Sequence, residues 1–200
     1  MGLFQRLFRR KKHPNPAINA LHYSVGSFDP KVSEMILLLP KLSETFQEGG
    51  AYLLQKTLLT QFKEYDAQYG ANLSEEVNEE KSDQMLARVM GLMLAVFFKE
   101  LSRVLPDGPY PSALSDALHY EIYGTLPGKE SFIAYLTYEN PNFEDAKMSP
   151  AFKFGNDISE IVSVSDLSFS FMAAQQVAVI SDIASRLTRW VLFNEPIESV

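Results

Sequence analysis

The side chains best suited to acid–base chemistry in this sequence are three histidines, His13, His22 and His119. His119 follows Asp116 by three residues, which is about one helical turn, so the carboxylate could orient the imidazole. Glu121 is close in sequence, and an acid–base or metal site is one hypothesis for this position. The alternative is an ordinary helical histidine that is exposed or hydrogen bonded. No HExxH pattern supports a metal site of the hydrolase type.

The sequence lacks the usual motifs of catalytic and cofactor-binding proteins. Cysteine is absent, which excludes disulfides, thiolate nucleophiles and cysteine-ligated metal centres. Residues 124–130, GTLPGKE, resemble a phosphate-binding loop, but only three residues separate its glycines and Glu130 replaces the magnesium-binding Ser or Thr. GxSxG and GxGxxG patterns are also absent. We therefore predict no catalytic residue, metal or cofactor and favour a non-enzymatic protein, with an enzyme or small-ligand pocket near His119 as an alternative.

Charge is divided unevenly along the chain. Residues 1–28 contain five basic residues and no acid, whereas the whole chain has a net charge of −7, which leaves −12 for residues 29–200. Such a body favours a basic protein partner and would repel nucleic-acid phosphates. The leading hypothesis is a cytoplasmic protein-binding module, such as an inhibitor, an antitoxin or immunity-like protein, or an adaptor. Its predicted partner-binding residues are the acids Glu75, Glu76, Glu79, Glu80 and Asp83.

The first twelve residues motivate a second functional hypothesis. On a helical wheel their apolar residues share one arc and their arginines lie opposite, so the arm is amphipathic. It could hold a peripheral scaffold at an anionic membrane, since each cation near a charged leaflet contributes about 1 kcal/mol. Arg6 occupies the position where N-myristoylation requires Ser or Thr, so no lipid assists the arm. The predicted membrane-contact residues are Leu3, Phe4, Leu7, Phe8, Arg6, Arg9, Arg10, Lys11 and Lys12.

Hydrophobic periodicity predicts a mainly α, single-domain bundle of about five or six helices. Residues 1–12 form the arm, Pro14 and Pro16 make residues 13–28 a linker, and residues 29–200 form the helical domain. Pro40 is expected to kink or break the first long helix, and Gly49 and Gly50 are expected to end it. Residues 71–82 are predicted to form a solvated loop or a short exposed turn. The predicted helices span residues 29–50, 51–69, 83–105, 112–123 and 166–193.

Residues 131–164 are harder to assign. Residues 131–139 suit either a strand or a helix, with a slight preference for helix. Two prolines and a glycine make residues 140–157 an irregular connection, and short extended pieces are predicted at 152–154 and 161–164. A minor β element within 131–164 therefore stays open.

Two apolar groups have both a functional and a structural interpretation. Met85, Met90 and Met93 with Phe97 and Phe98 could line an adaptable pocket, or simply fill the core. A trio of aromatic residues could anchor an interface or be core as well: Trp190, Phe193 and Tyr52.

Two patterns bear on location. The first 28 residues lack the apolar stretch of a secretory signal, which favours the cytoplasm, or the inner face of the membrane if the arm binds lipid. No uninterrupted run approaches 20 apolar residues, so no membrane span is predicted.

Overall fold

The computed structural model describes residues 13–25, 29–105, 107–127 and 149–195. These residues form helices joined by short turns, with no strand among them, which confirms the mainly α bundle. The elements are α1 (Pro16–Val25), α2 (Pro30–Leu53), a π-helical segment (Leu54–Leu58), α3 (Leu59–Tyr69), α4 (Leu73–Glu76), α5 (Glu79–Val104), α6 (Tyr110–Tyr123), α7 (Pro150–Val162) and α8 (Leu167–Phe193).

Helix α5 lies at the centre of the bundle, as its apolar composition predicts. It contacts α2, α6, α7 and α8, and residues 89–95 are buried on all sides of the helix. The Phe97 ring meets Phe46 of α2 edge to face, with 6.1 Å between centroids. Elsewhere Phe62 of α3 lies 5.2 Å from Phe169 of α8. Burying a side chain of this kind contributes roughly 1.5–3 kcal/mol to the stability of the fold. The paired rings therefore stabilise the packing of α2 on α5 and of α3 on α8.

Helix α2 does not end at its two glycines as predicted. Gly49 and Gly50 lie inside the helix. A Cβ atom on Gly50 would come within 2.4 Å of the Met90 sulfur, and one on Gly49 within 2.8 Å of Leu187 Cδ1. The glycines therefore let α2 approach α5 and α8 closely, which is a packing role rather than a terminating one. Of the kink or break predicted at Pro40, the break is wrong, because the helix continues through this exposed residue.

The predicted linker over residues 13–28 contains helix α1. Asn15 holds its first turn in place, donating to the Ala117 carbonyl at 2.8 Å and to the Glu121 carboxylate at 2.9 Å. Pro16 occupies the first helical position, where its fixed φ and missing N–H are tolerated, so it starts a helix instead of preventing one. The helix packs on α6 and buries Ala17, Ile18 and Leu21.

Helix α7 includes residues 152–154 and 161–162, where extended pieces were predicted, and Ser163 begins the turn that follows it. Ser149 caps it by accepting from the Phe152 amide, and Pro150 is its first residue. Phe154, Ile158 and Val162 are buried at a spacing of four residues, a helical period that a three-residue window cannot reveal. The irregular connection predicted for 140–157 is likewise wrong from Pro150 onward. Residues 131–139 lie outside the described ranges.

Helix α8 follows its predicted limits closely. Asp166 caps it by accepting from the Ser168 amide at 2.9 Å, and the helix ends at Phe193. Its most apolar window has a mean hydropathy of 1.3, so this helix of the described ranges is long and apolar enough to cross a bilayer. A core helix passes the same test, and 33% of that window is buried in the bundle. Length and composition therefore do not distinguish a membrane-spanning helix from the core helix of a bundle.

Candidate binding groove at the acidic corner

The five predicted partner-binding acids occupy α4 and the first turns of α5. We call this region, formed by Glu75, Glu76, Glu79, Glu80 and Asp83, the acidic corner. All five side chains are exposed. Of the solvated loop or short exposed turn predicted for residues 71–82, the structure has a single helical turn, α4, followed by the start of α5, which begins four residues earlier than expected. The acids are thus presented on helical turns with defined positions.

Asp66 of α3 fixes the orientation of α4. Its carboxylate accepts hydrogen bonds from the amides of Leu73 and Ser74, at 2.7 and 2.8 Å, and from the Ser74 hydroxyl at 2.6 Å. Burial acts to raise the pKa of Asp66, but the hydrogen bonds from Ser74 and Leu73 outweigh it, so the pKa is lowered overall. Leu73 is itself buried in the core. The corner is therefore attached to the bundle by both a charged cap and an apolar anchor.

Asn78 fixes the start of α5 beside this cap. Its side chain accepts from the Lys81 amide at 2.9 Å, which satisfies one of the free donors of the first helical turn. Glu79 and Glu80 then lie in the first turn, where negative side chains are favoured by the helix dipole. The negative charge of the corner consequently stabilises the helix that presents it.

A groove of about 260 Å³ runs between the acidic corner and the preceding helices. Its apolar side chains, Leu59 and Val77, are half-buried, and Lys63 and Glu79 are exposed charged residues on its walls. Of the five acids, only Glu79 lines the groove itself. The remaining lining residues are polar: Gln55, Ser74, Asn78 and Ser82.

The π-helical segment positions one wall of this groove. The Leu59 amide donates to the Leu54 carbonyl, five residues back, and the Thr60 hydroxyl donates to the Gln55 carbonyl at 3.2 Å. Such wide turns are rare and frequently occur at functional sites. The sequence gives no sign of this turn, because Leu54, Leu58 and Phe62 also fit an uninterrupted α-helix. Sequence reasoning therefore missed the groove residues Gln55, Leu59 and Lys63.

Contacts close in sequence hold the His119 ring. It is buried in α6, with its Nδ1 atom 2.8 Å from the Thr125 carbonyl and its ring centroid 4.6 Å from that of Tyr123. Burial raises the pKa of Asp116, and the neighbouring His119 partly opposes this shift. Within the described ranges, no cluster of three or more His, Asp or Glu side chains is arranged to hold a metal.

The methionine group belongs to the core. Met85, Met90 and Met93 are each at most 3% exposed, and Phe97 is buried with them. The Met90 sulfur fills the space beside Gly50. Core packing therefore accounts for the three methionines and Phe97. Phe98, the fifth member of the predicted group, is half-buried and lines a cleft of about 150 Å³ between α5 and α6.

The three aromatic residues considered as interface anchors have mixed surroundings. Tyr52 is exposed, Phe193 is half-buried, and Trp190 is 37% exposed with the Lys41 ammonium 4.9 Å from its ring centroid. This distance is within the range of a cation–π interaction, which ties α2 to α8 at the surface. The predicted membrane-contact residues Leu3, Phe4, Leu7, Phe8, Arg6, Arg9, Arg10, Lys11 and Lys12 lie outside the described residues.

Two buried carboxylates hold the helices together through ion pairs. Glu100 of α5 accepts from Ser185 at 2.8 Å and from Arg189 at 3.2 Å, both on α8, and from Arg103 at 3.0 Å. Asp157 of α7 pairs with Lys153 and lies 3.9 Å from Arg88. Since each carboxylate is enclosed by its partners, both have structural roles.

Comparison of the chain with protein-family models, with curated proteins and with solved structures finds no match, so the functional argument depends on the chain's own residues.

Proposed function

We propose that the protein is a non-enzymatic binding module that docks a basic segment of a partner protein at the acidic corner, as an inhibitor, an immunity-like protein or an adaptor would. The observation that supports this most directly is the groove beside the corner, which combines half-buried Leu59 and Val77 with the carboxylate of Glu79. An aliphatic stem ending in a cation matches both features, because a Lys or Arg side chain buries its methylenes and keeps its charge near an acid.

The other acids of the corner lie outside the groove and serve a different purpose. Their side chains are exposed, so each ion pair with a partner contributes only about 0.2–1 kcal/mol. Together they produce a negative field that accelerates encounter with a basic segment and disfavours acidic partners. In this proposal the groove provides a complementary shape for the partner's side chain, and the exposed acids select a partner with positive charge.

The test uses a fluorescent 12-residue peptide of alternating lysine and leucine, titrated with the full-length chain at several salt concentrations. We expect its affinity to fall as ionic strength rises, and Glu79→Lys to weaken binding further than the matched control Glu44→Lys on the exposed face of α2. An affinity that does not change with salt concentration, or equal losses of affinity in the two variants, would contradict the proposal.

The charge division of the chain supports a second proposal, attachment of a peripheral scaffold to anionic membranes through residues 1–12. His13, the first described residue, is exposed and lies two residues before the Asn15 anchor of α1, and residues 1–12 carry five positive charges. Sedimentation with anionic vesicles compares the full chain with a chain lacking residues 1–12. Equal pelleting of the two chains would eliminate this proposal.

A further inference from the structure

A second concave site lies at the closed end of the α7–α8 hairpin. The two helices are in close contact at Gly155, where a Cβ atom would be 2.1 Å from the Ser170 carbonyl oxygen. Ser163 then adopts a left-handed conformation, with φ of 63°, and the Val164 amide donates back to the Ser159 carbonyl at 2.9 Å. Beside this turn is an opening of about 470 Å³, which we call the serine cleft. Its size is that of a small-molecule site.

The inner wall of the serine cleft contains a buried pair of hydroxyls. Ser159 of α7 and Ser170 of α8 are 6% and 7% exposed, and their oxygens are 2.7 Å apart. Two hydroxyls carry two hydrogens, and the bond between them uses one. Neither hydroxyl makes another hydrogen bond to a described residue. Because an unsatisfied buried donor is costly, the pair has one hydrogen to donate to a molecule in the cleft.

The charge of the cleft restricts the ligand. Glu160 is the charged residue among those that line it, and it is exposed at the mouth. The basic residue of α7, Lys153, is paired with Asp157 instead. The wall therefore offers a carboxylate and hydroxyls but no cation, which disfavours phosphates and carboxylates and favours a positively charged ligand.

The apolar part of the lining adds a third requirement. Leu167 is 59% exposed at the start of α8, and Val164 is half-buried in the turn before it. These two side chains supply the apolar part of the lining. A ligand that combines a compact carbon skeleton with hydroxyls would cover this surface and also meet the serines.

We propose that the serine cleft binds a small hydroxylated primary amine of the amino-sugar or amino-alcohol class. The ammonium group pairs with Glu160, a ligand hydroxyl accepts the free hydrogen of the Ser159–Ser170 pair, and the carbon skeleton packs on Leu167. This site is separate from the groove at the acidic corner, so the two proposals stand or fall independently.

The experiment follows the backbone amide NMR signals of residues 163–167 while glucosamine, glucose or ethylamine is added to the full-length protein. We expect saturable shifts with glucosamine. Glucose lacks the ammonium group, so it should bind about 1.4- to fivefold more weakly, the range that an exposed ion pair provides. Ethylamine lacks the hydroxyls and should be the weakest of the three.

Three variants complete the test. Glu160→Gln should remove the preference for glucosamine over glucose, whereas Glu44→Gln, an exposed acid on α2, should keep it. Ser159→Ala combined with Ser170→Ala should weaken both sugars by roughly two- to tenfold through the lost hydrogen bond. Shifts that do not saturate with any probe, or a preference for glucosamine that survives Glu160→Gln, would overturn the proposal.

Discussion

Substituting Gly155 with alanine tests the packing argument most severely. Alanine is favoured over glycine in a helix by about 1 kcal/mol, so propensity alone predicts a more stable protein. At Gly155, however, the new methyl group would lie 2.1 Å from the Ser170 carbonyl oxygen and 3.1 Å from Ala174 Cβ. The carbonyl belongs to helix backbone and cannot rotate away, so α7 and α8 would have to separate. Overpacking of this kind costs typically 1–3 kcal/mol and occasionally more.

Because the clash is with helix backbone, we expect a cost in the upper part of this range, about 2–3 kcal/mol. After the propensity gain of about 1 kcal/mol is subtracted, Gly155→Ala should lower the free energy of unfolding by about 1–2 kcal/mol. For a chain of this size the loss corresponds to a fall in Tm of roughly 2–8 °C. The measurement is urea and thermal unfolding followed by circular dichroism at 222 nm.

Gly49→Ala provides a matched control inside another helix. Its nearest atom would be Leu187 Cδ1 at 2.8 Å, the far end of a flexible side chain that can change rotamer. The propensity gain should then balance the contact, leaving Tm within a few degrees of the parent. If Gly155→Ala is as stable as Gly49→Ala, the close backbone approach of α7 to α8 is not what holds these helices together.

Three further predictions concern ionisable groups. Glu100→Gln should lower the free energy of unfolding in urea by about 1–3 kcal/mol. The loss is smaller than for a fully buried ion pair, because Arg189 is 43% exposed. An unchanged midpoint of unfolding would contradict the structural role of this carboxylate. The Tyr65 hydroxyl donates to Asp166 at 2.7 Å, and this bond raises the pKa of Tyr65 to about 12 and lowers that of Asp166. The hydrogen bond therefore stabilises the fold fully between about pH 4 and 10. This stabilisation is lost as Tyr65 ionises above pH 10 and as Asp166 becomes protonated below pH 4. Tyr65→Phe should accordingly be less stable than the parent at pH 7, with a smaller difference at pH 3, and its Asp166 carboxyl should titrate at higher pH by NMR; a constant difference would refute the linkage. Burial raises the pKa of Asp116, so the folded state disfavours its ionised form. Asp116→Asn should therefore stabilise the protein slightly at pH 7 but not below pH 4. Destabilisation at pH 7 would show that the attraction of Asp116 to His119 is larger than the cost of its burial.

The long helices were predictable from sequence because their apolar residues repeat over many turns. Helix α8 shows this most clearly, since Ala173, Ile180, Ala184 and Val191 are separated by seven, four and seven residues, a helical repeat, and all four are buried. Short or proline-flanked segments were not predictable in the same way. Helix α1 has only three buried side chains, so its pattern is too brief to separate from a linker that docks.

The glycines of α2 show a second limit of sequence reasoning. Local rules associate consecutive glycines with helix ends, and Gly70 and Gly124 do end helices in left-handed conformations. Gly49 and Gly50 differ only in having other helices close to them, which is tertiary information. Pattern analysis cannot supply that information from one sequence.

Only one side of the candidate groove, the acidic corner, could be predicted from the sequence. The acids of the corner form a visible charge cluster, and the sequence identifies them as exposed. The opposite wall depends on the π-helical turn, and the buried Ser159–Ser170 pair depends on how α7 crosses α8. Both arise from packing between segments, so no spacing rule along the chain could have found them.

The π-helical turn makes one residue of chain length decisive for this end of the molecule. Leu54–Leu58 holds the equivalent of one inserted residue within forty consecutive helical residues, from Pro30 to Tyr69. Because the wide turn absorbs that extra residue, deleting one residue there would restore regular α-helix and leave Phe62 facing the core, while removing the wide turn beside the groove. Adding a further residue that the helix did not absorb would instead rotate everything downstream by about 100°. A one-residue deletion in this segment is therefore tolerated better than a one-residue insertion.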